Sequence, residues 1–395
     1  MASARGPFRV LVLNSVSELG LQRLPAGRYE VGKAVTEPDA VLVRSADMHG
    51  MEIPASVQAI ARAGAGTNNI PVKAMSHRGV PVFNAPGANA NAVKELVLAG
   101  MLMAARNLSG ALRFVDTLEA SAPDLDEQVE NGKKAFAGFE LAGQTLGVIG
   151  LGKVGCLVAH AAIQLGMNVL GHDPEITVDA AWSLPSQVRK AASVAEVLRG
   201  AQFVSLHVPL VDATRHLVNA DNLRLMKPGA VLLNFSRDGV VDAAAVLRAL
   251  DSGPLGRYVC DFPHGTILRH PKVVALPHLG ASTREAEDNC AVMVADQLRD
   301  YLEHGNVANA VNFPAVTMAR ESNYRVGIAN ANVPNMVGQI STAMAQAGLN
   351  IHNMVNKSRG EMAYTLVDVD SPVGEDVLSA IRAIDGVLAV RYLPA

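Results

Sequence analysis

Thr145-Leu146-Gly147-Val148-Ile149-Gly150-Leu151-Gly152-Lys153-Val154-Gly155 decides the fold of this chain. Thr145–Ile149 reads as a buried strand. Gly150, Gly152 and Gly155 then form G-x-G-x-x-G, and a helix follows with Val158, Ala161, Ala162 and Leu165 on one face. Each glycine has a physical reason. The first permits a tight turn, the second lets the backbone approach a pyrophosphate, and the third lets helix and strand pack closely. The helix N-terminus is then an anion site formed by Gly152, Lys153, Val154 and Gly155. Asp173 follows the next strand, Asn168–Gly171, at the offset where a carboxylate accepts hydrogen bonds from ribose hydroxyls and repels a 2′-phosphate. Pro174 and Glu175 come next, with no arginine to receive that phosphate, so NAD is expected rather than NADP.

Outward from this motif, short β-branched runs alternate with Ala-rich amphipathic stretches. Strands are expected at Phe8–Asn14, Ala40–Arg44 and Val57–Ala61, then a long helix at Asn89–Ala105. Beyond the motif come strands at Phe203–His207, Val231–Phe235, Arg257–Cys260 and Val273–Leu276. Strand–helix–strand order of this kind specifies parallel sheets covered on both faces. Asn306 to Arg320 contains Pro314 and reads as a linker. The remainder reads β (Arg325–Ala329), α (Met336–Ala347), β (Asn350–Asn356), β (Met362–Asp368), α (Asp376–Ala383), β (Val387–Leu393). That order is the ferredoxin-like split βαβ. The expected class is therefore α/β: two Rossmann-like doubly wound domains plus a small βαββαβ domain.

Composition agrees. The 395 residues are 49% apolar and 18% charged, as a folded globular chain is, and the net charge is -3. No bulk positive charge points to nucleic acid, and no apolar run is long enough to span a bilayer. Met1 to Arg5 carries no signal-peptide h-region. Cys156, Cys260 and Cys290 are few and far apart, neither a disulfide framework nor a metal ribbon. A cytoplasmic protein with three reduced thiols and no metal is expected.

Several segments together carry a family resemblance. They are Val43-Arg44-Ser45, Ala63-Gly64-Ala65-Gly66-Thr67-Asn68-Asn69-Ile70 and Asn84-Ala85-Pro86-Gly87-Ala88-Asn89-Ala90-Asn91, with the glycine motif. Further on come Asn234-Phe235-Ser236-Arg237-Asp238-Gly239-Val240-Val241-Asp242 and Pro277-His278-Leu279-Gly280-Ala281-Ser282-Thr283. The chain resembles the NAD-dependent D-isomer 2-hydroxyacid dehydrogenases over nearly its whole length. The resemblance implies a discontinuous substrate domain (residues 1–98 and 286–314), an NAD-binding domain (99–285), a C-terminal ACT domain (322–395), and an active site in the cleft between the first two. It also implies a homodimer or homotetramer.

Hydride transfer at a 2-hydroxy acid needs a cation for the carboxylate and the C2 oxygen, a general acid/base, and a nicotinamide against C2. Arg237, after strand Val231–Phe235, suits the first role. His278, after strand Val273–Leu276, suits the second. The resemblance gives both residues those roles. It places His207, Pro209, Thr214, Phe235, Ser236, Asp261, Gly280 and Ala281 on the cofactor side. The family also supplies a glutamate that orients the histidine. Here the segment is Val259-Cys260-Asp261-Phe262-Pro263-His264-Gly265-Thr266-Ile267, with Gly265 or Thr266 in that place. Either another carboxylate serves His278 or the histidine works without one.

For the substrate, the resemblance implies Arg44 and Ser45 at a strand end. The backbone N–H groups of Ala65 and Gly66 are candidates for a carboxylate. A phosphorylated 2-hydroxy acid also needs basic partners, for which Arg44, Lys133 and Lys134 are the candidates. In the family's serine-sensing ACT domains the first loop carries a histidine and a glycine where Asn330 and Asn335 stand here. Asn332 and Asn350 match that pattern, and asparagine tolerates the αL conformation a glycine would supply. L-serine is thus the candidate effector, and the alternative is a dimerisation module without ligand. The rival functions are the same chemistry on another D-2-hydroxy acid and a non-enzymatic NAD-sensing regulator.

Overall fold

The computed structural model describes residues 6–394, and Met1–Arg5 and Ala395 lie outside the described residues. The described chain packs into two compact units, residues 6–89 with 284–394, and residues 90–283.

The second unit holds the glycine motif. Its sheet has seven parallel strands in the order Val273–Ala275, Leu255–Cys260, Ala230–Asn234, Phe203–Leu206, Thr145–Ile149, Asn168–His172, Arg189–Lys190. Alternate residues of each strand enter opposite cores, as a period of two requires. Leu146, Val148, Phe203, Val231, Leu233 and Val259 face one core. Val204, Leu206, Leu232, Tyr258 and Cys260 face the other. Such strands read as continuous apolar runs, which is why they were legible. The order reverses at Thr145–Ile149, which pairs with strands on both sides. Ligands of open α/β sheets bind at the carboxyl ends of strands beside such a reversal.

The first unit contains a five-stranded parallel sheet, ordered Tyr29–Gly32, Phe8–Leu13, Ala40–Val43, Ala59–Arg62, Val82–Phe83. The helix Arg284–His304 lies on it. Ala291, Val294, Ala295, Leu298 and Leu302 recur at helical spacing and share a core with Val10, Val12 and Leu42.

The same unit carries a four-stranded antiparallel sheet in the order Ile351–Arg359, Met362–Val369, Tyr324–Ala331, Val387–Pro394, covered by helices Met336–Gln346 and Glu375–Arg382. One face packs on those helices through Val326, Ile328, Val367 and Val369. The other face, with Ala329, Met362, Tyr364 and Leu366, joins the core of the five-stranded sheet. Strand Met362–Val369 is buried at every position for this reason. A C-terminal domain beginning at residue 322 is the sequence expectation. The structure gives that segment its own sheet, packed within the first unit. The expected linker differs. Val307 bridges Val316, Phe313 is 1% exposed and Met318 is buried, so the segment is a packed connection.

Polar anchors fix this arrangement. The buried Arg325 guanidinium donates to both carboxylate oxygens of Asp368, at 2.6 and 2.9 Å, and to the carbonyls of His304, Met318 and Ala319. Every donor is satisfied, the condition under which a buried charge pair is tolerated. Tyr364 Oη donates to the Gly305 carbonyl at 2.9 Å.

Candidate active site and cofactor cradle

The glycine motif forms a strand-to-helix turn. Gly150 has φ +93°, and a Cβ there would lie 2.5 Å from the His207 carbonyl oxygen. A Cβ on Gly155 would lie 2.0 Å from the Gly150 carbonyl oxygen, so the helix Lys153–Gln164 starts in contact with the turn. Gly152 is the helix N-cap, is exposed, and has nothing within 4 Å of its would-be Cβ. The turn is therefore closed on its protein side and open on the side where first-turn N–H groups point outward. These residues fit a dinucleotide pyrophosphate. Asp173 completes the cradle at the end of Asn168–His172. Its Oδ2 accepts from Leu151 N at 2.7 Å and its Oδ1 from Glu175 N at 2.9 Å. The carboxylate is thereby fixed beside the glycine turn, where a ribose diol would meet it.

His207 follows the strand Phe203–Leu206. Its Nε2 lies 2.8 Å from Ser205 Oγ, and burial lowers its pKa to about 4, so the ring is neutral near pH 7. Ser205 was not among the expected site residues. Its signal was its place two residues before His207, on the same strand face. Pro209 and Thr214 are tied together, the Thr214 hydroxyl donating to the Pro209 carbonyl at 2.5 Å.

Arg237 and His278 sit on loops after neighbouring parts of the sheet, and two buried residues hold those loops. Asn234 is fully buried. Its Nδ2 donates to the Arg237 carbonyl at 2.9 Å, and its Oδ1 accepts from the Ser236 hydroxyl at 2.9 Å. Phe235 is buried and Arg237 is exposed. Asp261 is 2% exposed, and its two carboxylate oxygens accept from Leu279 N and Gly280 N, each at 2.7 Å. Its own N–H donates to the Asn234 carbonyl at 3.1 Å, and its carbonyl accepts from His278 N at 3.1 Å. One aspartate thus links the arginine strand to the histidine loop. His278 has φ +57°, an uncommon conformation for a residue with a Cβ, held by these bonds. The His278 ring packs edge-on to Phe262 at 5.1 Å between centroids. Among the described residues of its unit no carboxylate accepts a hydrogen bond from the ring. Gly265 is exposed with open space around it. Ala281 is exposed on the same loop, and Gly280 is buried against Asp261.

The first unit gathers a second set of groups. Arg44 follows Ala40–Val43, and its Nη2 donates to Glu287 in the opening turn of Arg284–His304. Arg62 Nε donates to the Arg44 carbonyl at 2.9 Å, and its guanidinium lies on Gly64 so closely that a Cβ would sit 2.0 Å from Nη1. Asn84 Nδ2 donates to the Ala65 carbonyl at 2.6 Å, which fixes the Ala65-Gly66 turn. Ser45 is exposed beside Arg44. Arg62 and Glu287 were missed from sequence, because the Arg44–Glu287 pair joins residues far apart in the chain. Lys133 lies in the exposed turn Lys133–Phe136, paired with Glu130, and Lys134 Nζ donates to Asn131 at 3.3 Å. Burial raises the pKa of Cys156, Cys260 and Cys290, all of which are free thiols.

Among the described residues no helix is long and apolar enough to cross a membrane, and no cluster of metal-ligating side chains occurs.

Residues 98–280 match the D-isomer specific 2-hydroxyacid dehydrogenase NAD binding domain. D-3-phosphoglycerate dehydrogenase of Escherichia coli (strain K12) is 31% identical over 344 residues, which cover 83% of this chain and 79% of the relative. The crystal structure of the TT0316 protein from Thermus thermophilus superposes with a TM-score of 0.63 at 29% identity, over 77% of this chain and all of that one. The NAD+-bound 3-phosphoglycerate dehydrogenase of Entamoeba histolytica shares the fold, with a TM-score of 0.60 at 24% identity over 77% of this chain and 98% of that chain. With that match and that identity over most of both chains, this protein belongs to the D-isomer specific 2-hydroxyacid dehydrogenase family.

Proposed function

We propose that the chain oxidises 3-phospho-D-glycerate to 3-phosphohydroxypyruvate with NAD, the step that commits carbon to L-serine. The observation that carries the chemistry is Asp261, which ties the strand before Arg237 to the loop of His278. The name of the Escherichia coli relative supports the substrate. Arg237 holds the C2 carboxylate and polarises the C2 oxygen. His278 Nε2 or Nδ1 takes the proton of the C2 hydroxyl and releases it to solvent. NAD held there would supply a hydride acceptor for C2. Gly150, Gly152, Lys153, Val154 and Gly155 hold the pyrophosphate, and Asp173 holds the adenine ribose. His207, Pro209, Thr214, Phe235, Ser236, Gly280 and Ala281 shape the nicotinamide side. Arg44 and Ser45 hold the phosphorylated end, with Lys133 as a further cation, and the backbone N–H groups of Ala65 and Gly66 hold the carboxylate. Gly265 or Thr266 stands where the family has its glutamate, so either another carboxylate serves His278 or the histidine works without one.

The C-terminal sheet is read as an ACT-type module for L-serine. Asn335 stands in the αL conformation at φ +66°, and buried Asn330 has an Oδ1 without a hydrogen-bond partner. Asn332 Nδ2 donates to the Gly360 carbonyl, and Asn350 N donates to Asp370. A cytoplasmic homo-oligomer completes the proposal.

The test is NADH oxidation by 3-phosphohydroxypyruvate, with and without L-serine. Turnover that exceeds that on unphosphorylated hydroxypyruvate is expected. Equal turnover on both would move the reading to another D-2-hydroxy acid. No turnover with NADH bound would favour the regulator.

A further inference from the structure

Where strand Val387–Pro394 meets the first unit's parallel sheet there is a cavity of about 550 Å³. Arg78, Arg382 and Arg391 are among its lining residues, and no aspartate or glutamate is. Arg382 is paired with Glu375. Arg78 and Arg391 are only partly exposed, and neither is in an ion pair among the described residues. Both are held by neutral acceptors instead. Arg78 Nη1 and Nη2 donate to the carbonyls of Ile53 and Pro54 at 2.9 and 2.6 Å. Arg391 Nη1 and Nη2 donate to the carbonyls of Tyr301 and Leu302 at 2.9 and 3.0 Å, and its Nε donates to Gln58 Oε1 at 2.7 Å. The guanidinium also lies 4.3 Å from the centre of the Tyr301 ring. Asp39 accepts from Gln58 Nε2 at 2.9 Å and is not among the lining residues.

Two guanidiniums fixed by neutral acceptors and partly withdrawn from water, on residues that line one void, leave positive charge uncompensated. A planar fork of N–H donors is well matched to carboxylate and phosphate oxygens. We propose that this cavity is a second ligand site, for a small oxyanion-bearing molecule, set apart from Asn330, Asn332 and Asn350. The anion is held by Arg78 and Arg391, with Arg382 at the rim. The site has a route to the substrate groups of its own unit. Arg391 caps the last turn of Arg284–His304, and the first turn of that helix carries Glu287, which holds Arg44. Binding at the cavity draws Arg391 from the helix carbonyls toward the anion and so alters the anchoring of that helix.

Calorimetric titration of the full chain with inorganic phosphate and, separately, citrate tests this, at ionic strength matched with sodium chloride. Neither readout depends on turnover. Wild-type protein is expected to bind at least one probe. Arg78→Gln and Ala55→Glu are each expected to weaken that binding at least tenfold. Ala55 is an exposed position at the cavity mouth, so the substitution places an internal anion there without disturbing the core. Phosphate alone would identify a phosphoryl ligand, and citrate alone a carboxylate ligand. The proposal is overturned if neither probe binds above the salt reference, or if both variants bind as wild type does.

Discussion

Gly152 and Gly155 lie three residues apart in one turn, and the structure predicts opposite consequences for adding a methyl group to each. At Gly155 the new Cβ would be 2.0 Å from the Gly150 carbonyl oxygen, when an ordinary contact is 3.4 Å or more. Helix and turn must separate by over an ångström, an overpacking that costs ~1–3 kcal/mol. At Gly152 nothing lies within 4 Å, and its φ of -76° suits alanine. There the lost N-cap preference and the reduced unfolded-state entropy offset each other to within ~1 kcal/mol. The space Gly152 leaves is where the backbone approaches a pyrophosphate, so Gly152→Ala directs its methyl at the ligand. A loss of ~10–100-fold in NADH affinity corresponds to about 1.4–2.8 kcal/mol. The assay pairs NADH fluorescence titration with thermal unfolding followed by circular dichroism. Gly152→Ala should melt within ~2 °C of wild type yet bind NADH at least tenfold more weakly, whereas Gly155→Ala should melt several degrees lower. Wild-type NADH affinity in Gly152→Ala would refute the cradle argued from this turn.

Other perturbations separate positioning from chemistry. Asp261→Asn replaces one of two acceptors by a donor facing a buried N–H, so a loss of ~2–3 kcal/mol and a melting decrease of several degrees are expected, together with a kcat at least tenfold lower. Unchanged melting and kcat would show that the two 2.7 Å bonds do not hold the His278 loop. Arg237→Gln should lower kcat/KM ~10³-fold with NADH affinity retained, since a charged partner for a desolvated carboxylate is worth several kcal/mol. Equal loss of NADH affinity would show that Arg237 serves the cofactor instead. His207 is held neutral with a pKa near 4, below the ordinary value of 6.5, so the unfolded chain binds the additional proton between those pH values. Stability should therefore fall as pH drops from 6.5 toward 4, by up to ~3 kcal/mol from this group. His207→Gln should flatten that slope in pH-dependent urea unfolding, and an unchanged slope would assign it to other groups.

The strands at the site were legible because parallel strands buried on both faces are unbroken apolar runs, as at Thr145–Ile149 and Phe203–Leu206. Short edges were not. Arg189–Lys190 is charged and exposed, Val82–Phe83 is two residues between Pro81 and Asn84, and Tyr29–Gly32 carries Glu30 and ends in glycine. None offers a periodic signal. Pairing with a neighbouring strand makes each one. The expected roles of Arg237 and His278 came from motif and position, but what fixes their loops did not. In the sequence the resemblance places Asp261 on the cofactor side, but nothing there shows that it ties two loops together. Its task is visible only when Leu279 N and Gly280 N arrive at its carboxylate.

The same limit explains the C-terminal segment. Its βαββαβ pattern was readable locally, and local readability suggested a module that could stand apart. A free module would present one face of its sheet to solvent, with polar residues alternating along the strand. Met362–Val369 has none of that alternation in burial, and Tyr364 and Leu366 are buried on the face away from the module's helices. Arg325 and Arg391 then bind three carbonyls at the end of Arg284–His304, where cations also complement the helix dipole. A helix of that length spans about 31 Å. Its far end bears Glu287 on Arg44. The C-terminal sheet is thus bonded directly to the element that positions a candidate substrate arginine. A ligand that changed how Arg391 grips Tyr301 and Leu302 would act on that arginine through a single helix, without any flexible linker to absorb the change.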